Sequence, residues 1–186
     1  MNPQTYQLCL KGRAQVNRST TPEEFKKGVA LLEQAVEKDP NEPLAWSGLA
    51  AGYVMAEHQG MITGALQKAI RAANKAIEVD PTLAEAHLAM AMIKGYDQWD
   101  YDGAVKEYKT AIELNPNLAD AHGHYSWLLL ANRRNPRQQA ELQEGEIRHA
   151  QEIDPNNPMF YWWMGQRSAK CRPRPATRKA CSASRS

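Results

Sequence analysis

The chain has 186 residues, enough for one buried core and too few for two large domains. Leu, Ala and Met dominate its apolar residues and Phe occurs only twice, which favours helices over a β-sandwich. No run approaches 18 uninterrupted apolar residues, so no membrane span is expected.

The opening "MNPQTYQLCLKG" lacks the basic region and apolar stretch of a secretory signal. Cys9, Cys171 and Cys181 are odd in number and none sits in a CxxC, so neither a disulfide framework nor a zinc site is expected. A reducing cytoplasm is the implied setting. The net charge of +2 conceals an asymmetry. Residues 1–165 hold all 21 acids and 16 of the 23 basic residues, whereas residues 166–186 hold seven basic residues and no acid.

Along the chain one broken helix is written four times: "AVEKDPNEPLAW", "AIEVDPTLAEAH", "AIELNPNLADAH" and "AQEIDPNNPMFY". Its proline falls at Pro40, Pro81, Pro116 and Pro155, at spacings of 41, 35 and 39 residues, which marks an array of helical repeats. Before each break the pattern is Ala-x-x-x-x-Pro, from Ala35, Ala76, Ala111 and Ala150. Proline has no N–H and disfavours helix in the residue before it, so it ends one helix. It is tolerated in a first turn, so the next helix is predicted to start almost at once. Thr82 with Glu85 is a candidate capping box for one such restart.

Within a unit the first helix reads Trp46-x-x-Leu49-Ala50-x-x-Tyr53 and the second reads Ala104-x-x-x-Tyr108-x-x-Ala111. Spacings of three and four put these residues on one face, where alanines permit close approach and large side chains fill the gaps. These patterns resemble the tetratricopeptide repeat, W-x-x-L-G-x-x-Y followed by A-x-x-x-F-x-x-A-x-x-x-x-P. The resemblance covers roughly residues 5–165. Trp46, Leu49 and Tyr53 match in the second unit, while His87 and His122 replace the Trp in the third and fourth. The first unit is more degenerate, anchored by Gly12, Gly28, Leu32, Ala35 and Pro40. Units two to four carry insertions between their helices, the largest being "HQGMITG" at 58–64.

The fold implied is all-α: a right-handed superhelical stack of antiparallel helix hairpins, about four hairpins plus a truncated fifth. The expected organisation is a repeat domain over residues 1–165 and a basic, disordered tail over 166–186. The segments "TYQLCLKGRAQVNRSTTPEEFKKGVALLEQAVEKDP", "YDQWDYDGAVKEYKTAIELNPNLADAH" and "AEAHLAM" also look like bacterial signalling proteins, in which such repeats follow a winged-helix, Ser/Thr kinase or nucleotide-cyclase domain.

After Pro155 a fifth unit begins, with Tyr161, Met164 and Gly165 on the W, L and G positions, but Ser168 stands where an aromatic belongs. The remainder, "SAKCRPRPATRKACSASRS", has no Leu, Ile or Val and cannot bury a core. It reads either as a basic arm for phosphates or as non-native coding after a cut repeat. A cut repeat would leave Phe160, Tyr161, Trp162 and Trp163 short of a partner helix, as a sticky or self-associating patch.

Other chemistry finds little support. His122 and His124 point about 200° apart on a helix and do not chelate one metal, and His122 and His87 serve as stand-ins for the repeat's Trp. In "DQWDYDG" Asp97, Asp100 and Asp102 miss the register of an EF-hand, so Asp100 is predicted to cap the helix from Tyr101 and Trp99 to plug a packing gap. No GxGxxG, GxxxxGK[ST] or GxSxG occurs, Cys9 is expected to pack, and no nucleophile, base and orienter assemble. No enzyme, cofactor or metal is expected.

The family resemblance places an inner groove on Ser47, Ala51 and Met55, on Glu85, Leu88, Ala89 and Met92, and on Asp120, Gly123, His124, Trp127 and Leu130. None of these is Lys or Asn, so a carboxylate clamp is not expected. Leu88, Met92 and Trp127 suit an apolar or amphipathic peptide. A protein-interaction scaffold is the leading expectation. The alternatives are a remnant of a larger signalling protein without activity of its own, and nucleic-acid contact through the tail.

Overall fold

The computed structural model describes residues 2–19, 21–131, 136–161 and 163. Among them eight helices follow one another: α1 (Pro3–Arg18), α2 (Pro22–Lys38), α3 (Pro43–His58), α4 (Ala65–Val79), α5 (Ala84–Tyr96), α6 (Tyr101–Leu114), α7 (Ala119–Ala131) and α8 (Pro136–Ile153). Residues 158–161 and 163 begin a further helical segment. Consecutive helices pair as hairpins, α1 with α2, α3 with α4, α5 with α6 and α7 with α8. The fold is therefore the all-α hairpin stack expected.

Curvature follows from which helices touch. Helices α1, α3, α5 and α7 each meet the next of their own layer, whereas α2, α4, α6 and α8 make no such contact among the described residues. The first layer is the tighter, inner one. Small side chains set the spacing: every buried residue of α4 is an alanine. In the first hairpin Gly12 and Gly28 face one another, and a Cβ on either would lie 3.1 Å from the other's carbonyl oxygen. The motif alanines Ala35, Ala76, Ala111 and Ala150 are all fully buried.

The four joints share one construction. The residue before each proline donates its N–H to the motif alanine's carbonyl, as Asp80 does to Ala76 at 2.9 Å. Its side chain then accepts the N–H two residues on: Asp39 from Asn41, Asp80 from Thr82, Asn115 from Asn117 and Asp154 from Asn156, at 2.8–3.3 Å. These Asx turns carry the chain over the proline. The next helix starts three residues after the proline, at Pro43, Ala84 and Ala119, rather than on it. Thr82 is accordingly no cap; its hydroxyl also donates to Asp80, and α5 begins without a side-chain cap.

The long α3–α4 loop places Gly60 and Gly64 at positive φ, and Glu57 reaches across it to accept the N–H groups of Ala65 and Leu66. Asp100 caps α6 as expected, accepting from Gly103 N–H at 3.0 Å. Trp99 differs from its predicted role. It is 70% exposed and sits at φ 55°, a left-handed backbone conformation, with its ring edge-on to Tyr101 at the surface. Cys9 packs beside Ala35 and Ala45, and burial, with Glu42 nearby, pushes its thiol up to about 11.

The start of the fifth unit is not left bare. Phe160 and Trp163 are 1% and 6% exposed and join Ile147 and Ala150 in a second small core against Trp127 and Ala119. Gly123 makes this possible, since a Cβ there would lie 2.8 Å from the Trp163 ring. The patch expected from four aromatics thus has two of them turned inward. Tyr161 and Met159 are exposed, and Trp162 lies outside the described residues, as do Cys171, Cys181 and the segment 166–186.

Candidate functional site

The inner layer of helices encloses a groove of about 550 Å³. Its wall runs from Arg13 and Val16 on α1, across α3, α5 and α7, to Asn157, Met159, Phe160 and Trp163 at the start of the fifth unit. Helical periodicity explains the layout: Ser47, Ala51 and Met55 stand at four-residue steps on α3, and Glu85, Leu88 and Met92 at three and four on α5. Asp120, His124 and Trp127 follow one another at four and three on α7.

All seven residues singled out in the sequence, Ser47, Met55, Glu85, Leu88, Met92, His124 and Trp127, line this groove. They do not line it equally. Ser47 and Met92 are 1% and 2% exposed and Leu88 is also buried, so these three form its packed floor. Met55, Glu85, His124 and Trp127 are half-buried and present surface. Ala51 and Asp120 line it too, whereas Ala89 is buried elsewhere, Gly123 lies beneath Phe160 and Trp163, and Leu130 is not in the wall.

Several polar groups of the groove are held in place. The Ser47 hydroxyl donates to the Leu44 carbonyl at 3.1 Å. Arg13 crosses the floor, its stem over Gly48, and meets Glu85 at 3.5 Å. At one end His58 stacks on Tyr96 with 5.0 Å between centroids, and the Tyr96 hydroxyl meets His124 Nδ1 at 2.7 Å. Burial lowers His124 to about 4, against the opposing pull of Asp120, so the imidazole is neutral at pH 7 and accepts from Tyr96. Burial also raises the Tyr96 hydroxyl. It raises the neighbouring Asp97 carboxyl as well, with His58 opposing and Glu57 adding to the shift.

His122, two residues from His124, faces the joint instead. Its Nε2 meets the Pro116 carbonyl at 2.9 Å and its Nδ1 meets Glu146 at 2.6 Å. His87 repeats this with Pro81 and Glu107, at 3.0 and 2.8 Å. In the second unit the Trp46 indole N–H donates to Pro40, and in the fifth the Tyr161 hydroxyl donates to Pro155. The histidines therefore do the Trp's work at the sixth residue after each proline. No group of three metal-ligating side chains forms among the described residues.

Three parts of the wall go beyond the positions read from the sequence: Arg13, Val16 and Phe25 from the first unit, the end formed by His58 and Tyr96, and the closure by Phe160 and Trp163. The degenerate first unit hides its groove positions, and a cut fifth repeat reads as an unpartnered end. No described helix is long and apolar enough to cross a membrane.

A family profile described as TPR repeat matches residues 96–124. No curated protein matches the chain. A thermophilic TPR protein of Thermus thermophilus superposes with a TM-score of 0.65 at 18% identity, over 88% of this chain and 82% of its own. The protein MamA gives 0.51 at 18% identity, over 80% and 79%. An O-GlcNAc transferase of Thermobaculum terrenum gives 0.55 at 15% identity, over 80% of this chain but only 27% of the transferase. At these identities the likeness is one of fold.

Proposed function

We propose that this chain, a tetratricopeptide-repeat protein by fold, is a non-catalytic scaffold that holds an apolar or amphipathic segment of a protein partner in its inner groove. Folds of this kind mediate protein–protein association. The observation that carries the reading is the continuous groove of about 550 Å³, built by four inner helices and closed at one end by Phe160 and Trp163. Met55 offers an adaptable surface there and Trp127 a large anchor of the kind that dominates binding energy.

Support for a non-catalytic role comes from what the polar groups already do. His124 is held neutral, Glu85 is paired with Arg13, and the Ser47 hydroxyl bonds within its own helix. The transferase neighbour shares only a repeat region's length with this chain, so its activity is not carried over. We take residues 1–165 as the repeat domain and the basic segment 166–186 as lying outside it. A cytoplasmic setting agrees with a buried, unpaired Cys9. A bacterial signalling protein is the context that the sequence resemblance implies.

The test is peptide capture from a display library on the purified chain, followed by Trp127→Ala. A selected peptide should lose at least tenfold in affinity, equivalent to about 1.4 kcal/mol, while the circular dichroism melt is unchanged. Equal binding to both proteins would remove the groove from consideration.

A further inference from the structure

The charges facing the groove do not balance. Arg13 comes from α1, His58 from α3, Glu85 from α5, and Asp120 and His124 from α7; the fifth-unit segment contributes Asn157 and apolar or aromatic side chains. Arg13 and Glu85 satisfy one another at 3.5 Å, and His124 is occupied by the Tyr96 hydroxyl at 2.7 Å. Asp120 enters no ion pair among the described residues. It is half-buried at the groove wall, where a carboxylate is partly stripped of water and any cation it meets is attracted more strongly than in bulk solvent.

What lies beside Asp120 narrows the choice of cation. His124 and Trp127 follow it on the same face of α7, four and seven residues on. Seven residues of helix span roughly 10 Å, close to the reach of a long cationic side chain and the backbone it leaves. Trp127 stacks on Trp163 at 6.2 Å with planes 23° apart, and His124 meets the Trp163 edge at 5.0 Å. The path from Asp120 to Trp127 is thus floored by a neutral imidazole and indoles. Such surfaces accept a methylene stem by burial and a guanidinium by its planar face, whereas an anion would meet the electron-rich ring faces and the carboxylate.

We propose that the segment held in the groove carries an arginine whose guanidinium pairs with Asp120 and whose stem lies over His124 and Trp127. This deepens the groove reading and rests on it. Arginine fits better than lysine because its fork matches a carboxylate with two parallel hydrogen bonds and its plane stacks on rings. The neutrality of His124, enforced by burial, keeps a competing positive charge out of the seat. The apolar part of the partner then spreads toward Met55 and the floor at Leu88 and Met92.

The experiment pans a random twelve-residue peptide display library on the full chain and, in parallel, on Asp120→Asn. Peptides from the wild type should share an arginine at a fixed distance from an apolar residue, and peptides from the variant should not. For one wild-type peptide, replacing that arginine with glutamine should weaken binding about tenfold on the wild type and less than about twofold on Asp120→Asn. Asp120→Glu, which retains the charge, should recover most of the difference. No enriched arginine, or equal losses on both proteins, overturns the arginine seat while leaving the groove in place. Peptides that bind Trp127→Ala as well as the wild type, or a library that yields none, overturn the groove reading and the seat with it.

Discussion

At the residue scale the informative position is the sixth after each joint proline. Trp46, His87, His122 and Tyr161 all reach the proline carbonyl, so the contact is made by three kinds of side chain. Histidine adds something the indole lacks. At His122 the Pro116 carbonyl only accepts, so Nε2 must donate to it, and Nδ1 then faces the Glu146 carboxylate; both nitrogens carry protons in the best arrangement. Burial opposes the charge on His122, but Glu146 and the Pro116 carbonyl outweigh it and raise the imidazole above its usual value. A raised folded-state value contributes stability that is full below about 6.5 and lost as pH rises through it. Lowered His124 has the opposite sign: the unfolded chain takes up the proton first, so stability falls as pH drops from about 6.5 toward the groove value of about 4. Urea midpoints at pH 5, 6.5 and 8 should therefore peak near the middle. His122→Gln should cost about 1–3 kcal/mol at pH 6 and flatten the alkaline slope; an unchanged slope would show that Glu146 does not hold a charged imidazole. The role of His122 as a Trp substitute was legible because the spacing repeats. Its partner Glu146 was not, because it comes from another helix.

At the element scale the hairpins depend on glycines at close approach. A Cβ on Gly28 would stand 2.9 Å from the Val16 backbone nitrogen, which cannot rotate away as a side chain can. Gly28→Ala should therefore separate α1 from α2 and lower stability by about 1–3 kcal/mol, seen as a reduced thermal midpoint. At Gly123 a Cβ would meet the Trp163 ring at 2.8 Å, and Phe160 as well. Gly123→Ala should displace the fifth-unit segment and shift tryptophan emission to the red, whereas unaltered emission would mean that the rings accommodate it. Helix starts were the weaker part of the sequence reading. Thr82 and Glu85 had the residue types of a capping box, but Asp80, one residue before the proline, captures Thr82 first. The same Asx turn recurs at all four joints, and the Asp or Asn before each proline was its visible sign.

At the scale of the whole molecule the helices of each hairpin pack on neighbouring hairpins among the described residues, with the Arg13–Glu85 pair reaching from the first to the third, so damage at one end should stay local. Phe160→Ala removes the centre of the small core with Ile147, Ala150 and Trp163. Hydrogen exchange should quicken in α7, α8 and residues 158–161 while α1 to α4 keep their protection. Uniform quickening along the chain would show a single cooperative unit instead. A urea melt followed by circular dichroism with light scattering complements this. A steep transition without scattering is expected, because Phe160 and Trp163 are buried within the chain rather than offered to another copy.

The repeat, its period and the hairpin pairing were legible in the sequence, because periodicity and proline placement are local properties that each unit restates, and the family resemblance supplied seven candidate groove positions. Tertiary packing selects which of those positions keep an open face. Ser47, Leu88 and Met92 sink into the floor because adjacent inner helices converge on them, and the spacing of a motif does not encode how tightly its neighbours close. It also decided that Trp99 is exposed, that Phe160 and Trp163 fold back over Gly123, and that Arg13 meets Glu85 across 72 residues. Each of these depends on surfaces brought together from distant units, and no local pattern records them.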